Sequence, residues 1–211
     1  MKQTFLSGLL LFCIFEVHSQ CFVDTEKLNQ SYFNLIQNTN SFEAQKAFFN
    51  AFPSSWMEYI LTYTCNLDMD VEGHIKALEN LSLIPDSTYC DKLIHLSIDG
   101  KWDADAPYYL QALLRRIIDK KGDVFFARLS KQSNGYQLRF WLFYWSSMLH
   151  TEDNIPTVRK DFPKECEQLK IKMNAKYPKV VKIMETALPF ALGEVLWPNG
   201  VEEYFPRKNK Y

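Results

Sequence analysis

The sequence contains little glycine and no marked excess of either charge, and each shortage excludes a class of function. Only 7 of the 211 residues are glycine, and neither a glycine-rich phosphate loop nor a G-x-S-x-G nucleophile elbow occurs. Lysine and arginine number 24 against 25 aspartates and glutamates, so the formal net charge is −1. A nucleic-acid-binding surface normally shows a basic excess. The composition therefore argues against DNA or RNA as a partner.

Side chains that bind metals or act as catalytic nucleophiles are also sparse. Beyond residue 20 the chain has three histidines, far apart in sequence and none in an H-E-x-x-H zinc motif: His74, His95 and His150. We expect them at the surface or at helix ends rather than in a ligand cluster. No C-x-x-C spacing occurs. The sequence predicts no metal, no cofactor and no catalytic residue.

The only long hydrophobic run lies at the N-terminus. Lys2 precedes the apolar stretch 5–15, and a short polar stretch follows it. This order is typical of a cleavable signal peptide, cut after Ser19 or after Gln20; the alternative is a buried helix of the folded domain. The run is too short to span a bilayer, which needs about 20 apolar residues. We therefore expect residues 1–20 to be removed on export, leaving a periplasmic or secreted protein that is not transmembrane.

An even number of cysteines in an exported protein suggests disulfides. The chain beyond the signal has four, with three ways to pair: Cys21, Cys65, Cys90 and Cys166. We expect at least one disulfide; alternatively, some of these cysteines are small buried hydrophobic residues. Cys21 could instead carry a lipid anchor. Lipidation is less favoured, because His18 stands where lipoproteins have a leucine-like residue.

The spacing of apolar residues is mainly helical. It predicts nine or ten helices at about 25–37, 42–52, 56–63, 70–81, 85–98, 107–121, 124–129, 138–149, 164–176 and 178–192. The best strand alternative is 137–144, since aromatic residues favour strands. We expect an all-α fold in one domain, 21–211, arranged as an irregular helical bundle or a short helical solenoid.

Local signals predict where several of these helices begin and end. Ser41 should cap the second helix, and Ser54 or Ser55 the third. Gly122 should stop the amphipathic helix that begins at Pro107. The dipeptide 134–135, Asn-Gly, is predicted to be a turn, and a polar loop should cover 151–163. The segment 138–149 is apolar on nearly every side, which is typical of a helix at the centre of a domain.

The most distinctive polar cluster follows the predicted helix 85–98. Asp99, Asp103 and Asp105 could together hold calcium, but their spacing departs from the EF-hand pattern. The favoured interpretation is that Asp99 and Gly100 end one helix and Asp103 or Asp105 caps the next. Trp102 is expected to fill the corner between the two helices.

Two groups of residues are candidate partner-binding sites. The first is this cluster: Asp99, Trp102, Asp103 and Asp105. The second lies in the irregular C-terminal tail: Trp197, Glu202, Glu203 and Tyr204.

Three segments resemble a group of uncharacterised small exported α-helical proteins of Bacteroidetes bacteria. They are 48–56 (FFNAFPSSW), 98–109 (IDGKWDADAPYY) and 124–130 (VFFARLS), which leads into the aromatic cluster 140–145. The resemblance covers roughly residues 42–149. Some members of the group are encoded near interbacterial toxin systems. The resemblance implies export, a helical fold and an immunity role, and it transfers no catalytic residue.

Two classes of function follow. We expect an exported protein-binding or inhibitor protein without enzymatic activity, most concretely an immunity protein whose partner is a toxin. The alternative is an envelope-associated enzyme or ligand carrier that uses carboxylates in a helical cleft.

The signal peptide can be tested directly on protein recovered from the cell envelope. N-terminal sequencing should find Gln20 or Cys21 as the first residue, because these follow the two candidate cleavage sites. Intact-mass measurement would show a lipid on Cys21 as added mass. Protein that is exported yet still begins at Met1 would contradict the prediction.

Overall fold

Every regular element in the described part of the chain is an α-helix. A computed structural model describes residues 25–64, 66, 68–100, 105–146, 155–173 and 175–191. These residues form nine helices and no strand, which confirms the predicted all-α class. The helices are α1 Thr25–Gln37, α2 Phe42–Ala51, α3 Trp56–Thr64, α4 Val71–Glu79, α5 Asp86–Ser97, α6 Asp105–Leu129, α7 Asn134–Trp145, α8 Ile155–Met173 and α9 Pro178–Ala191. The predicted signal peptide, residues 1–20, and the tail beyond Ala191 lie outside the described residues.

Short polar side chains begin several helices, as the sequence predicted. The Ser41 hydroxyl accepts a hydrogen bond from the Ala44 backbone N–H at 3.2 Å, and Ser55 accepts one from the Glu58 N–H at 3.3 Å. Each bond satisfies an amide that has no partner inside its helix. The chain leaves α2 at Phe52, whose backbone is extended. The following residue is proline, which disfavours a helical conformation in the residue before it.

The predicted turn at 134–135 is wrong, because these residues form the first turn of α7. Ser133 caps this helix by accepting from the Tyr136 N–H at 3.3 Å. An N-terminal cap stabilises the first turn by about 1 kcal/mol, which favours a helical start despite the turn preference of Asn-Gly. Helix α7 therefore begins four residues before its predicted start at Leu138.

The predicted stop at Gly122 is found to within one residue, because the helical backbone breaks at Lys121 and α6 joins the two predicted helices, 107–121 and 124–129, across this break. The helix has a kink at Lys121, with φ −130° and ψ 26°. The apolar stripe resumes immediately after the kink, where Phe125 and Phe126 are buried. Continued burial of this stripe favours resuming the helix over forming a loop.

The predicted polar loop 151–163 is helical from Ile155 onward. Helix α8 passes through Pro163, although a proline inside a helix removes one hydrogen bond. Phe162 and Cys166 are buried on one side of this helix, and Leu169 and Met173 continue the same stripe. The spacing of these residues is that of one helix face, so the apolar stripe extends across the proline.

The apolar core is built around α6 and α7. Helix α6 packs against α4, α5 and α7, and α7 also packs against α5 and α9. The α8–α9 and α1–α2 pairs, the contact of α1 with α4 and the packing of α3 against α5 complete the described assembly. The centre of α7 is aromatic on several sides, with fully buried side chains at Phe140, Trp141, Phe143, Tyr144 and Trp145. The prediction that this apolar segment lies at the centre of the fold is thus confirmed.

Two buried glutamines connect helices to neighbouring backbone. The Gln45 side chain donates to the Thr39 carbonyl oxygen at 2.7 Å and accepts from the backbone N–H groups of Ser82 and Leu83 at 2.9 and 2.8 Å. Gln111 donates to the carbonyl oxygens of Phe143 and Ser146 at the end of α7. These bonds give hydrogen-bond partners to backbone groups in turns and at a helix end.

Two of the four disulfide candidates are buried free thiols. Cys90 and Cys166 form no disulfide, which fits the alternative that some cysteines act as small hydrophobic residues. Burial raises the pKa of the Cys90 thiol to about 12 and that of Cys166 to about 11, so both stay protonated at neutral pH. Cys21 and Cys65 lie outside the described residues, and a disulfide between them stays a prediction. None of the described helices has the length and apolar character needed to cross a membrane.

The close approach of Gly100 to Phe143 gives a test of the packing between α5 and α7. A Cβ atom at Gly100 would lie closer than 3.0 Å to three carbons of the Phe143 ring. That ring is held from the other side by Trp56, at 5.1 Å between ring centroids. We expect Gly100→Ala to lower the free energy of unfolding in urea by about 1–3 kcal/mol.

Gly122→Ala is the matched control. Its added Cβ would lie 3.4 Å from the nearest carbon of Phe126, and alanine favours a helix over glycine. This variant should be neutral or more stable by up to about 1 kcal/mol. Equal effects at the two glycines would contradict the described α5–α7 contact.

Candidate functional site

The first predicted polar cluster lies where the chain leaves α5 and enters α6. Asp99 follows α5, and Asp105 is the first residue of α6. Trp102 and Asp103 lie outside the described residues, as do Trp197, Glu202, Glu203 and Tyr204 of the second group. The structure therefore places Asp99 and the start of α6, while the predicted capping by Asp103 or Asp105 stays a prediction.

Asp99 forms part of a small exposed surface with two residues of α7. Its carboxylate accepts from Arg139 Nη1 at 2.5 Å, and the Arg139 guanidinium lies 4.6 Å from the centroid of the Tyr136 ring. The Tyr136 side chain is 43 % exposed. We call Asp99, Tyr136 and Arg139 the corner surface. It offers an aromatic face, donors and an acceptor within one patch.

The corner surface stands on a closely packed base. The Gly100 N–H donates to the Ser97 carbonyl oxygen at 3.0 Å, which turns the chain after α5. This turn brings the Gly100 backbone against the buried Phe143 ring. A residue with a side chain could not approach so closely. The relative position of α5 and α7, and hence of Asp99 and Arg139, follows from this contact.

The calcium alternative stays a prediction, because Asp103 and the side chain of Asp105 lie outside what the structure describes. Across the described ranges, no three side chains among histidine, cysteine, aspartate and glutamate converge to hold a metal ion. The Asp99 carboxylate binds the Arg139 guanidinium, a cation that an incoming metal would have to displace. Arg139 and Tyr136 carried no signal in the sequence, because their proximity to Asp99 arises from helix packing.

The prediction that histidines lie at the surface or at helix ends is wrong for His74. His74 is fully buried on α4, with Nδ1 3.1 Å from the Tyr63 hydroxyl. Its ring meets the Tyr32 ring edge-on, at 4.4 Å between centroids, and Nε2 has no hydrogen-bond partner. The apolar spacing contained the missed signal, since His74 is in register with Leu78 on the buried face. His95 is exposed, as predicted, and His150 lies outside the described residues.

Burial determines the charge state of His74. It lowers the pKa of the imidazole to about 4, while the negative charge of Asp70 acts in the opposite direction. His74 is therefore neutral at pH 7. Burial also raises the pKa of Tyr63, so its hydroxyl keeps its proton and can donate to the imidazole. Tyr63 and His74 therefore form a buried hydrogen bond through Nδ1 of the imidazole, and Nε2 of the same ring has no hydrogen-bond partner.

Lys92 is a second polar group that the sequence did not reveal. Its ammonium on α5 donates to the Phe49 and Phe52 carbonyl oxygens, the latter at 2.5 Å, and lies 4.7 Å from the centroid of the Phe49 ring. Burial lowers the pKa of Lys92 to about 8. Its position at the C-terminal end of α2 favours a positive charge. Lys92 therefore acts as a cap that joins α5 to α2.

A cleft of about 370 Å³ opens between α6 and α8, with Tyr144 of α7 in its wall. At its centre, Glu165 accepts from the Tyr144 hydroxyl at 2.5 Å and from Arg115 Nε at 3.2 Å. Burial, followed by the charge of Glu165, raises the pKa of Tyr144, so the phenol remains a donor. Arg115 also donates to the Tyr144 carbonyl oxygen at 3.1 Å. The three residues come from helices α6, α7 and α8.

The Arg115 guanidinium is held in a defined orientation. Its central carbon lies 4.8 Å from the Tyr144 ring centroid and 5.8 Å from that of Phe162. Contacts of a guanidinium with aromatic faces add to its hydrogen bonds. Sequence reasoning considered carboxylates in a helical cleft but could not name them, because positions 115, 144 and 165 are far apart in the chain.

Comparisons with known proteins identify no relative of this chain. No family model matches it, and neither a curated protein nor a solved structure matches it. The resemblance to exported helical proteins of Bacteroidetes stays a prediction carried by the three segments quoted above.

His74 should make the protein less stable in acid. Below pH 6.5 the unfolded chain binds a proton on this histidine that the folded protein accepts only below about pH 4. Stability should therefore fall as the pH drops from 6.5 to 4, and His74 should account for about 3 kcal/mol of the fall.

Urea unfolding at several pH values measures this contribution. His74→Gln removes the titrating group, so its curve should fall by about 3 kcal/mol less than that of the unmodified protein over this range. His95→Gln, at an exposed position of α5, should keep the full fall. If the His74→Gln curve runs parallel to the original, the imidazole is not buried in its neutral form.

Proposed function

We propose that this protein is an exported, non-enzymatic binding protein that inhibits another protein. The most concrete form is a periplasmic immunity protein that caps a toxin. The corner surface carries the proposal, because it presents an exposed tyrosine and an arginine beside an aspartate. The predicted signal peptide and the resemblance to exported helical proteins support the location and the role.

The chemistry of the corner surface suits a protein partner. Tyrosine and arginine are enriched among residues that dominate binding energy at protein interfaces. Arg139 is oriented by Asp99 on one side and by the Tyr136 ring on the other. A partner therefore meets a preorganised group, and less conformational entropy is lost on binding.

Residues next in the chain would extend the same surface. Trp102, Asp103 and Asp105 follow Asp99 closely in sequence, so we propose that they belong to the same interface. The group Trp197, Glu202, Glu203 and Tyr204 remains a second proposed contact. Both groups combine aromatic residues with carboxylates, which fits a partner whose contact region contains apolar and basic side chains.

The alternative of an envelope-associated enzyme or ligand carrier has one observation in its favour, the cleft between α6 and α8. Its wall contains the carboxylates of Asp119, Asp161 and Glu165. Glu165 already accepts from Arg115 and Tyr144, and Asp119 pairs with Lys172 at 2.8 Å. Paired carboxylates suit binding better than proton transfer, so the cleft favours a carrier over an enzyme.

The binding proposal is tested with the product of the neighbouring gene. Purified mature protein should bind that product, and co-expression should protect cells from it. Tyr136→Ala and Asp99→Ala should each weaken binding at least tenfold, because they remove the aromatic face and the group that orients Arg139. Isothermal titration calorimetry measures the affinity.

Lys131→Ala is the control, since Lys131 is an exposed residue of the turn between α6 and α7. It should leave the affinity unchanged, and thermal melting should show that all three variants are folded. A neighbouring product that does not bind, or that binds the three variants equally well, would count against the corner surface as the interface.

A further inference from the structure

The charged side chains of the cleft between α6 and α8 fall into two groups, paired and unpaired. Asp119 and Lys172 form an ion pair at 2.8 Å, and Glu165 accepts from Arg115 and Tyr144. Within each of these contacts the opposite charges largely neutralise each other. The ligand preference of the cleft is therefore determined by the charged groups that have no partner among the described residues.

Uncommitted groups of both signs face the cleft. Arg115 uses Nε and one N–H of Nη2 in its hydrogen bonds to Glu165 and Tyr144, so three of its five N–H groups have no acceptor among the described residues. Asp161 and Lys164 also line the cleft, and neither has a salt-bridge partner in the described ranges. The cleft thus offers the carboxylate of Asp161, the ammonium of Lys164 and the spare N–H groups of Arg115 to a ligand.

The rest of the lining consists of Gln168 and three largely apolar side chains. Ile118 of α6 and Leu169 of α8 contribute to the cleft, together with the Tyr144 ring. Ile118, Leu169 and Tyr144 are buried in the core, so they form a closed floor that exposes little apolar surface to a ligand. A volume of about 370 Å³ is near the lower end of the range for small-ligand sites. The cleft therefore suits a small molecule that is bound mainly through its charged groups.

We propose that this cleft binds a short zwitterionic peptide. Its carboxylate would be bound by the spare N–H groups of Arg115 and by Lys164, and its ammonium by Asp161. A dipeptide has termini about 7 Å apart. The charged residues Asp161 and Lys164 are one helical turn apart on α8, about 4.5 Å along its axis, so one dipeptide can reach both.

The balance of charge favours a ligand that carries both a negative and a positive group. The cleft contains three cations, Arg115, Lys164 and Lys172, and three carboxylates, Asp119, Asp161 and Glu165. A ligand with only a negative charge is attracted by Arg115 but repelled by Asp161. A ligand with only a positive charge is attracted by Asp161 but repelled by Arg115. A ligand with both charges satisfies both ends. This site is separate from the corner surface and does not depend on the proposed inhibitor role.

Calorimetric titration of the mature protein with L-alanyl-L-leucine tests the proposal. The zwitterionic dipeptide should give saturable binding. Its N-acetyl derivative lacks the ammonium and its C-terminal amide lacks the carboxylate, and each should bind about tenfold more weakly, as expected for loss of a charged hydrogen bond. No saturable heat with the free dipeptide, or equal affinity for the free and blocked peptides, overturns the proposal.

Two variants test which side chain binds the ammonium and which binds the carboxylate of the dipeptide. Asp161→Asn should bind the free dipeptide about tenfold more weakly and should no longer prefer it over the N-acetyl form, while its preference for a free carboxylate remains. Lys164→Gln should keep the preference for a free ammonium and show a reduced preference for a free carboxylate, since Arg115 still binds that group. The control Lys131→Gln should behave like the original protein. Asp161 is exposed, as is Lys164, so folding should be retained, and thermal melting verifies it.

If Asp161→Asn and Lys164→Gln match Lys131→Gln, the cleft is not the binding site and the proposal fails. The inhibitor role is tested separately, since these variants should bind the protein partner normally. Loss of partner binding in Tyr136→Ala together with intact dipeptide binding would separate the two surfaces.

Discussion

The burial of α7 determines where the other elements of this protein can lie. Its aromatic side chains occupy the centre of the core, and neighbouring helices pack around them. An aromatic side chain that buries about 150–250 Å² contributes about 4–6 kcal/mol at the usual coefficient. This gain exceeds the cost of leaving the indole N–H groups of Trp141 and Trp145 without acceptors, about 1–3 kcal/mol each. Both candidate sites follow from the same helix: Arg139 reaches the corner surface, and Tyr144 reaches the cleft.

The long helix α6 forms ion pairs with neighbouring segments through both its cationic and its anionic side chains. On one side its cations pair with carboxylates of α4 and α5, and on the other its carboxylates pair with lysines of α8 and the turn after it. Isolated exposed pairs contribute about 0–1 kcal/mol each, so their main effect is to orient the helices. The pairs are Arg116 and Lys120 with Glu79, Lys121 with Asp86, Arg128 with Asp91, Asp119 with Lys172, and Asp123 with Lys176.

Polar groups buried in the core have a different role, since they join helices where backbone groups lack partners. Gln45 and Lys92 both bind backbone carbonyls near the ends of α2, and Gln111 does so at the end of α7. Nothing in the local sequence distinguishes these residues from exposed ones of the same type. Their function depends on which helix end lies opposite them, and that is decided by packing. His74 differs, because its position on the apolar face of α4 was visible in the sequence.

The sequence by itself determined the helical class, most helix positions and the central place of the apolar segment near 142, because these follow from periodicity and capping within a few residues. It also predicted a polar cluster at Asp99. Only the tertiary structure decided that Arg139 and Tyr136 join Asp99 and that Arg115, Tyr144 and Glu165 form one cleft. It also decided that α8 continues across Pro163. These outcomes depend on contacts between residues distant in the chain, whose energies no local pattern contains.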